Sequence, residues 1–177
     1  KLEVGSQYID STRGASSAHQ NPFIILKRPN TDEDMGEAIG FSLVYSGNFL
    51  AHVEVDHFDA TRVTMGINPF DFSWNLNGGE SFQTPEAIIS FTSTGLNSLS
   101  QNFHSLYRER LMRGEWKEKE RPILINNWEA TYFDFNEEKL LNMVRKAKKL
   151  GFELFVLDDG WFGKRNDDKS SLGDWFP

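Results

Sequence analysis

Near its carboxyl end the chain places two acids and an indole after a short apolar run: Phe152-Glu-Leu-Phe-Val-Leu157 leads into Asp158-Asp159-Gly160-Trp161-Phe162. Carboxylates accept hydrogen bonds from hydroxyl groups, and an aromatic face suits the apolar side of a pyranose, so this grouping points to carbohydrate chemistry. Paired aspartates after a strand hold Mg²⁺ in phosphoryl-transfer sites about as often, with N-capping or turn formation close behind. Trp161 tilts the balance toward sugar. Other polar groups carry less. Asp167, Asp168 and Asp174 lie in a polar stretch and read as solvated turn residues, and His19, His52, His57 and His104 show no ligand spacing. Arg108, Arg110 and Arg113 read as a helix end complementing its dipole.

The elements around the acid pair give it a place in a fold. Pro122-Ile-Leu-Ile-Asn126 reads as a buried strand, and Asn136 stands as the N-cap of a helix with Glu137 and Glu138 in its first turn. Leu140, Leu141, Val144, Ala147 and Leu150 recur at helical spacing, Lys146, Lys148 and Lys149 crowd the last turn, and Gly151 is the stop. Strand, helix and strand with continuous apolar runs predict a parallel pair, buried on both faces, with a right-handed crossover. Loops at the carboxyl ends of such strands carry active sites in barrels and in open sheets alike. Trp128 sits at the end of the first strand; taken alone it reads first as a core aromatic and second as a ligand platform.

Composition bounds the function. The 177 residues carry a net charge of -7, no cysteine and 14% aromatic residues, with a mean hydropathy of -0.51. The acidic balance argues against nucleic acid and anionic membrane surfaces, and the lack of cysteine excludes disulfides and thiolate metal sites. No apolar run is long enough to cross a bilayer, and Lys1-Leu-Glu-Val-Gly-Ser-Gln7 has no signal-peptide core, so a soluble, cytoplasmic protein is expected.

Residues 1–96 read as part of a β-sandwich. Ile39, Phe41, Leu43 and Tyr45 alternate with smaller residues, Ser46-Gly47-Asn48 turns, and Phe49, Ala51, Val53 and Val55 alternate again, predicting a hairpin. Further strands are expected at Phe23–Leu26, Phe72–Leu76 and Glu86–Thr92, with a loop over Ser11–Asn21. From Asn97 the period becomes helical, and residues 97–121 read as a linking helix and charged connector. Residues 122–177 then supply one strand-helix-strand unit and a long loop. Two parallel strands with one crossover helix leave edges and a face bare, so a fragment of a longer protein is expected; a barrel takes about 250 residues.

Taken together, Arg13-Gly-Ala-Ser-Ser-Ala-His-Gln-Asn-Pro22, Tyr45-Ser-Gly-Asn48, Gly78-Gly-Glu-Ser-Phe-Gln-Thr-Pro-Glu86, Asn126-Asn-Trp-Glu-Ala130, Leu157-Asp-Asp-Gly-Trp-Phe-Gly163 and Leu172-Gly-Asp-Trp-Phe176 resemble the α-galactosidases of glycoside hydrolase family 36. The resemblance covers essentially the whole chain. It implies a β-sandwich followed by the first βαβ unit of a catalytic (β/α)8 TIM barrel, and a retaining double displacement that releases terminal α-linked galactose from raffinose-family oligosaccharides and melibiose. It implies no cofactor and no metal, and a homo-oligomer, tetrameric in many members. The family's nucleophile sits in a Lys-Trp-Asp-type motif that none of Trp74, Trp116, Trp128, Trp161 and Trp175 provides, so no catalytic residue is expected in this chain. By the same resemblance Asp158 and Asp159 bind galactose, Trp128 lines the pocket, and Ala147 influences the pose of Trp128 through packing. Two rivals stand beside this reading: a non-catalytic carbohydrate-binding or oligomerisation module, and a Mg²⁺-dependent phosphotransfer enzyme.

Overall fold

In the computed structural model, which describes residues 2–177, the chain divides into two compact units, Lys1–Met112 and Arg113–Pro177. The first unit holds two three-stranded antiparallel sheets. Strands β1 (Gly5–Asp10), β4 (Phe49–Val55) and β5 (Thr61–Ile67) form one in the order β1-β4-β5. Strands β2 (Phe23–Lys27), β3 (Ala38–Val44) and β6 (Glu86–Thr92) form the other in the order β2-β3-β6. Between the sheets Leu43, Phe49 and Ala51 are buried, with Ile24, Tyr45 and Met65 packed around them.

The expected hairpin of residues 39–55 does not form. Its two strands exist but belong to opposite sheets, because β3 already pairs β2 on one edge and β6 on the other. The turn at Tyr45-Ser-Gly-Asn48 therefore carries the chain across the sandwich. Alternation identifies a strand but not its partner. Residues 72–76, expected as a strand, are irregular; Trp74 and Phe82 stack with ring centroids 4.7 Å apart, and Asn77 donates from backbone and side chain to the Glu80 carboxylate. Strands β1 and β5 escape sequence reading because both are edge strands with weak alternation and mostly exposed or half-buried side chains.

Helix α1 (Gly95–Leu106), extended by a π-helical turn over Tyr107–Leu111, packs on the outer face of the β2-β3-β6 sheet. Leu99 and Phe103 bury themselves on Ala38, and Phe103 meets Phe23 edge-on at 5.0 Å. Close approach needs a flat strand face, and Ala38, Gly40 and Ser42 supply it. A Cβ on Gly40 would lie 2.5 Å from the Phe103 ring. Tyr107 then shares a 3.0 Å hydrogen bond with the Ser42 hydroxyl. The segment expected as a link is thus part of the first unit's packing up to Met112.

The second unit opens with a 3-10 turn over Glu115–Lys117, followed by β7 (Leu124–Asn126), the single turn α2 (Trp128–Thr131), helix α3 (Glu137–Lys149) and β8 (Leu154–Val156). Strands β7 and β8 pair in parallel, with Asn126 opposite Val156. The Asn136 side chain accepts the Lys139 N–H at 3.0 Å as the expected N-cap, and the acidic first turn and basic last turn of α3 stand as the sequence places them. Burial on both strand faces, expected from the apolar runs, is not observed: Leu124 and Leu154 stay exposed.

Candidate sugar site at the strand ends

Because β7 and β8 are parallel neighbours, their carboxyl ends bring together the residues that follow each strand. Asp158 and Asp159 lie just beyond β8, Trp128 just beyond β7, and all three are half-buried. Asn126 joins them. Its Nδ2 donates to Asp158 Oδ2 at 2.6 Å, while its Oδ1 accepts the Trp128 backbone N–H at 2.8 Å. Asn127, fully buried, continues the parallel ladder: its N–H donates to the Val156 carbonyl at 3.2 Å and its Oδ1 accepts the Asp158 N–H at 2.8 Å. The Nδ2 of Asn127 donates to Thr131 Oγ1 at 2.8 Å.

Trp128 stands in an aromatic cluster, edge-to-face with Tyr132 at 5.3 Å and with Phe133 at 5.0 Å. The ring is half-buried. Behind the acids, Gly160 adopts φ +91, and a Cβ there would fall 2.9 Å from the Phe133 ring. Only glycine lets the chain turn so close beneath the aromatic cluster. Ala147 is buried on α3, and its carbonyl accepts the Leu150 and Phe152 N–H groups at the helix end.

The second acid differs from the first. Arg165 grips Asp159 with two donors, Nε to Oδ1 and Nη2 to Oδ2, the latter at 2.7 Å, and the Gly160 N–H adds a third bond at 2.8 Å. The guanidinium is buried, lies 5.3 Å from the centroid of the buried Phe162 ring, and donates Nη1 to the Ser170 carbonyl at 2.7 Å. This hydrogen-bonded guanidinium holds the Asp159 carboxyl below its ordinary range, assisted by the Gly160 N–H and opposed by desolvation. Among the described residues, Asp158 carries only the Asn126 amide and the Asp159 N–H, which its Oδ1 accepts at 2.8 Å. Sequence reading found the acids and the indole but not Asn126 or Arg165 as their partners. The Asn126-Asn127 doublet at a strand end was the available signal for the first; a single arginine in a polar loop gave none for the second.

The fold and the site together define a class: a β-sandwich, then a parallel strand pair whose carboxyl ends carry acids and an indole. Comparison with known proteins agrees. The melibiase family model matches residues 81–177, and the glycosyl hydrolase family 36 N-terminal domain matches residues 1–77. The chain belongs to glycoside hydrolase family 36. It is 64% identical over 174 residues to α-galactosidase AgaA of Geobacillus stearothermophilus, across 98% of this chain and 24% of that protein. The α-galactosidase structure from Lactobacillus brevis superposes with a TM-score of 0.94 at 58% identity, over 99% of this chain and 24% of that one. A variant of AgaA in complex with raffinose superposes with a TM-score of 0.93 at 63% identity, over 98% and 24%. The chain thus spans about a quarter of the length of these relatives, and its second unit is the opening βαβ unit of the barrel.

Proposed function

We propose that this chain belongs to a retaining α-galactosidase acting on raffinose-family oligosaccharides and melibiose, and that Asp158, Asp159 and Trp128 form part of its galactose subsite. One observation carries the reading: two adjacent carboxylates, fixed from β7 and from the loop after β8, stand at the strand ends beside a half-buried indole. Neighbouring residues on one backbone send their side chains in different directions. Such a pair suits two hydroxyls of one sugar better than the two sides of one glycosidic bond, which need carboxyls roughly 5 Å apart across the bond. The nucleophile and the acid/base then lie outside this chain, and residues 1–177 alone turn over no α-galactoside.

A hydroxyl held by an ionised carboxylate contributes about 1.5–3 kcal/mol, enough to prefer the axial 4-hydroxyl of galactose over the equatorial one of glucose. A Mg²⁺ site fits less well, because a guanidinium already occupies the flank of Asp159 where a cation would approach. The raffinose complex of the AgaA variant supports the same substrate class.

Thermal unfolding of the full-length protein tests this, with and without saturating galactose and with glucose as control. At about 100 times the dissociation constant, galactose adds roughly 2.7 kcal/mol of stability, which appears as a raised midpoint. The shift should vanish in Asp158→Ala. A shift retained by the variant, or produced equally by glucose, rejects the subsite.

A further inference from the structure

A carboxylate offers about four acceptor positions, two on each oxygen. Among the described residues, Asp159 spends three: Oδ1 takes Arg165 Nε and the Gly160 N–H, and Oδ2 takes Arg165 Nη2. One position remains, on Oδ2. Asp158 spends two, one on each oxygen, and keeps two. The two acids are therefore unequal acceptors despite being adjacent and identical in sequence.

Arg165 causes the difference. Its fork fixes the plane of the Asp159 carboxylate, and it is itself held on three sides: by Asp159, by the Ser170 carbonyl and by the Phe162 ring. At 8% exposure it is among the most enclosed charged groups of the chain, six residues after its partner in an otherwise polar loop. An ion pair needed only to close a loop could sit at the surface, as the pairs Arg28 with Glu37 and Arg62 with Glu54 do. This one is spent on a carboxylate that borders the sugar site.

We propose that Arg165 is a positioning residue for sugar selection, which by filling three-quarter of one acid with its fork and the adjoining turn leaves Asp159 able to accept a single hydroxyl in one direction. The inference rests on Asp159 being a galactose ligand. Lysine cannot replace the fork, since an ammonium supplies a point charge without a fixed plane. Freed of the fork, Asp159 could rotate and accept two hydroxyls, and sugars differing at one hydroxyl would be distinguished less sharply.

The test measures calorimetric affinity of the full-length protein for galactose, 6-deoxygalactose and glucose. Arg165→Lys should weaken galactose binding about tenfold or more, because the charge-assisted bond from Asp159 to its hydroxyl loses its fixed direction, and narrow the margin over glucose. Arg165→Gln should in addition move the acid limb of galactose affinity to higher pH, because Asp159 without its cation protonates earlier. Asp159→Ala combined with Arg165→Lys should lose no more than Asp159→Ala alone, as groups acting through one another do. Wild-type affinity, margin and acid limb in Arg165→Lys and Arg165→Gln, alongside lost binding in Asp159→Ala, would overturn the positioning role while leaving the subsite standing. Unchanged binding in both Asp158→Ala and Asp159→Ala would instead remove the subsite and the inference with it. If Arg165→Gln fails to fold, the charge-retaining Arg165→Lys and the double-variant comparison decide.

Discussion

At the scale of single residues, the Asp159 and Arg165 pair links the site to the stability of its loop. The folded Asp159 carboxyl titrates below its ordinary value of about 3.9, because the guanidinium favours the ionised form. A carboxyl lowered by folding stabilises the native state fully above its unfolded value, and that contribution disappears as pH falls through the lower folded value. Midpoints recorded between neutral and strongly acidic pH should therefore fall less steeply at the acid end in Asp159→Asn than in the wild type; parallel curves would reject the linkage. Asn127 makes a second residue-scale case. Its fully buried side chain accepts the Asp158 N–H, so Asn127→Ala strands that donor, while the Thr131 hydroxyl keeps the Asn127 and Tyr132 backbone carbonyls. Denaturant titration should show a loss of about 1–3 kcal/mol, the cost of an unpaired buried polar group.

At the scale of elements, helix and sheet in the first unit meet through a row of small side chains. Leu99 is 1% exposed at that contact, and Leu99→Ala should cost about 2–5 kcal/mol, a lost side chain plus the cavity it leaves. Gly40→Val acts in the opposite sense by overfilling. Its Cβ would meet Phe103 at 2.5 Å, which forces α1 or the ring to move and costs about 1–3 kcal/mol. Equal stability of Gly40→Val and wild type in urea would show that the helix does not seat on β3 as described. In the second unit the link is polar: the Asn127 side chain donates to Thr131 at the end of α2 and accepts the N–H of Asp158 just beyond β8.

At the scale of the whole molecule, the two units differ in how much they bury. The first encloses two apolar clusters, one between its sheets and one beneath α1. The second encloses Asn127, Ala147, Phe162 and Arg165, while Leu124, Leu141, Leu154 and Leu157 stay exposed. So small an apolar core does not offset the entropy of ordering its chain. Residues 1–112 alone should therefore unfold in one cooperative calorimetric transition and residues 113–177 alone in none; a sharp transition in the shorter piece would contradict this. On β6, Ile89 and Phe91 lie opposite Phe41 and Ile39 of β3 and are 67% and 57% exposed.

Local chemistry was legible without the fold. Asn136 as N-cap, the charge order along α3, the parallel strands on either side and the acids after the second follow from capping, dipole and periodicity, which act over a few residues. The β-strands at 38–44 and 49–55 followed from alternation in the same way, and that at 86–92 from the turn and break signals before it. Partnership was another matter. That β3 and β4 part to different sheets depends on β2 and β6 claiming both edges of β3, contacts distant in sequence that no local pattern encodes. The site divides along the same line: Asp158, Asp159 and Trp128 are visible as residue types at strand ends, whereas the bonds from Asn126 to Asp158 and from Arg165 to Asp159 exist only once the backbone brings donors and acceptors within reach. Sequence fixes which groups are present and how each short stretch folds; tertiary structure decides which lone pairs are already spent and which remain for a ligand.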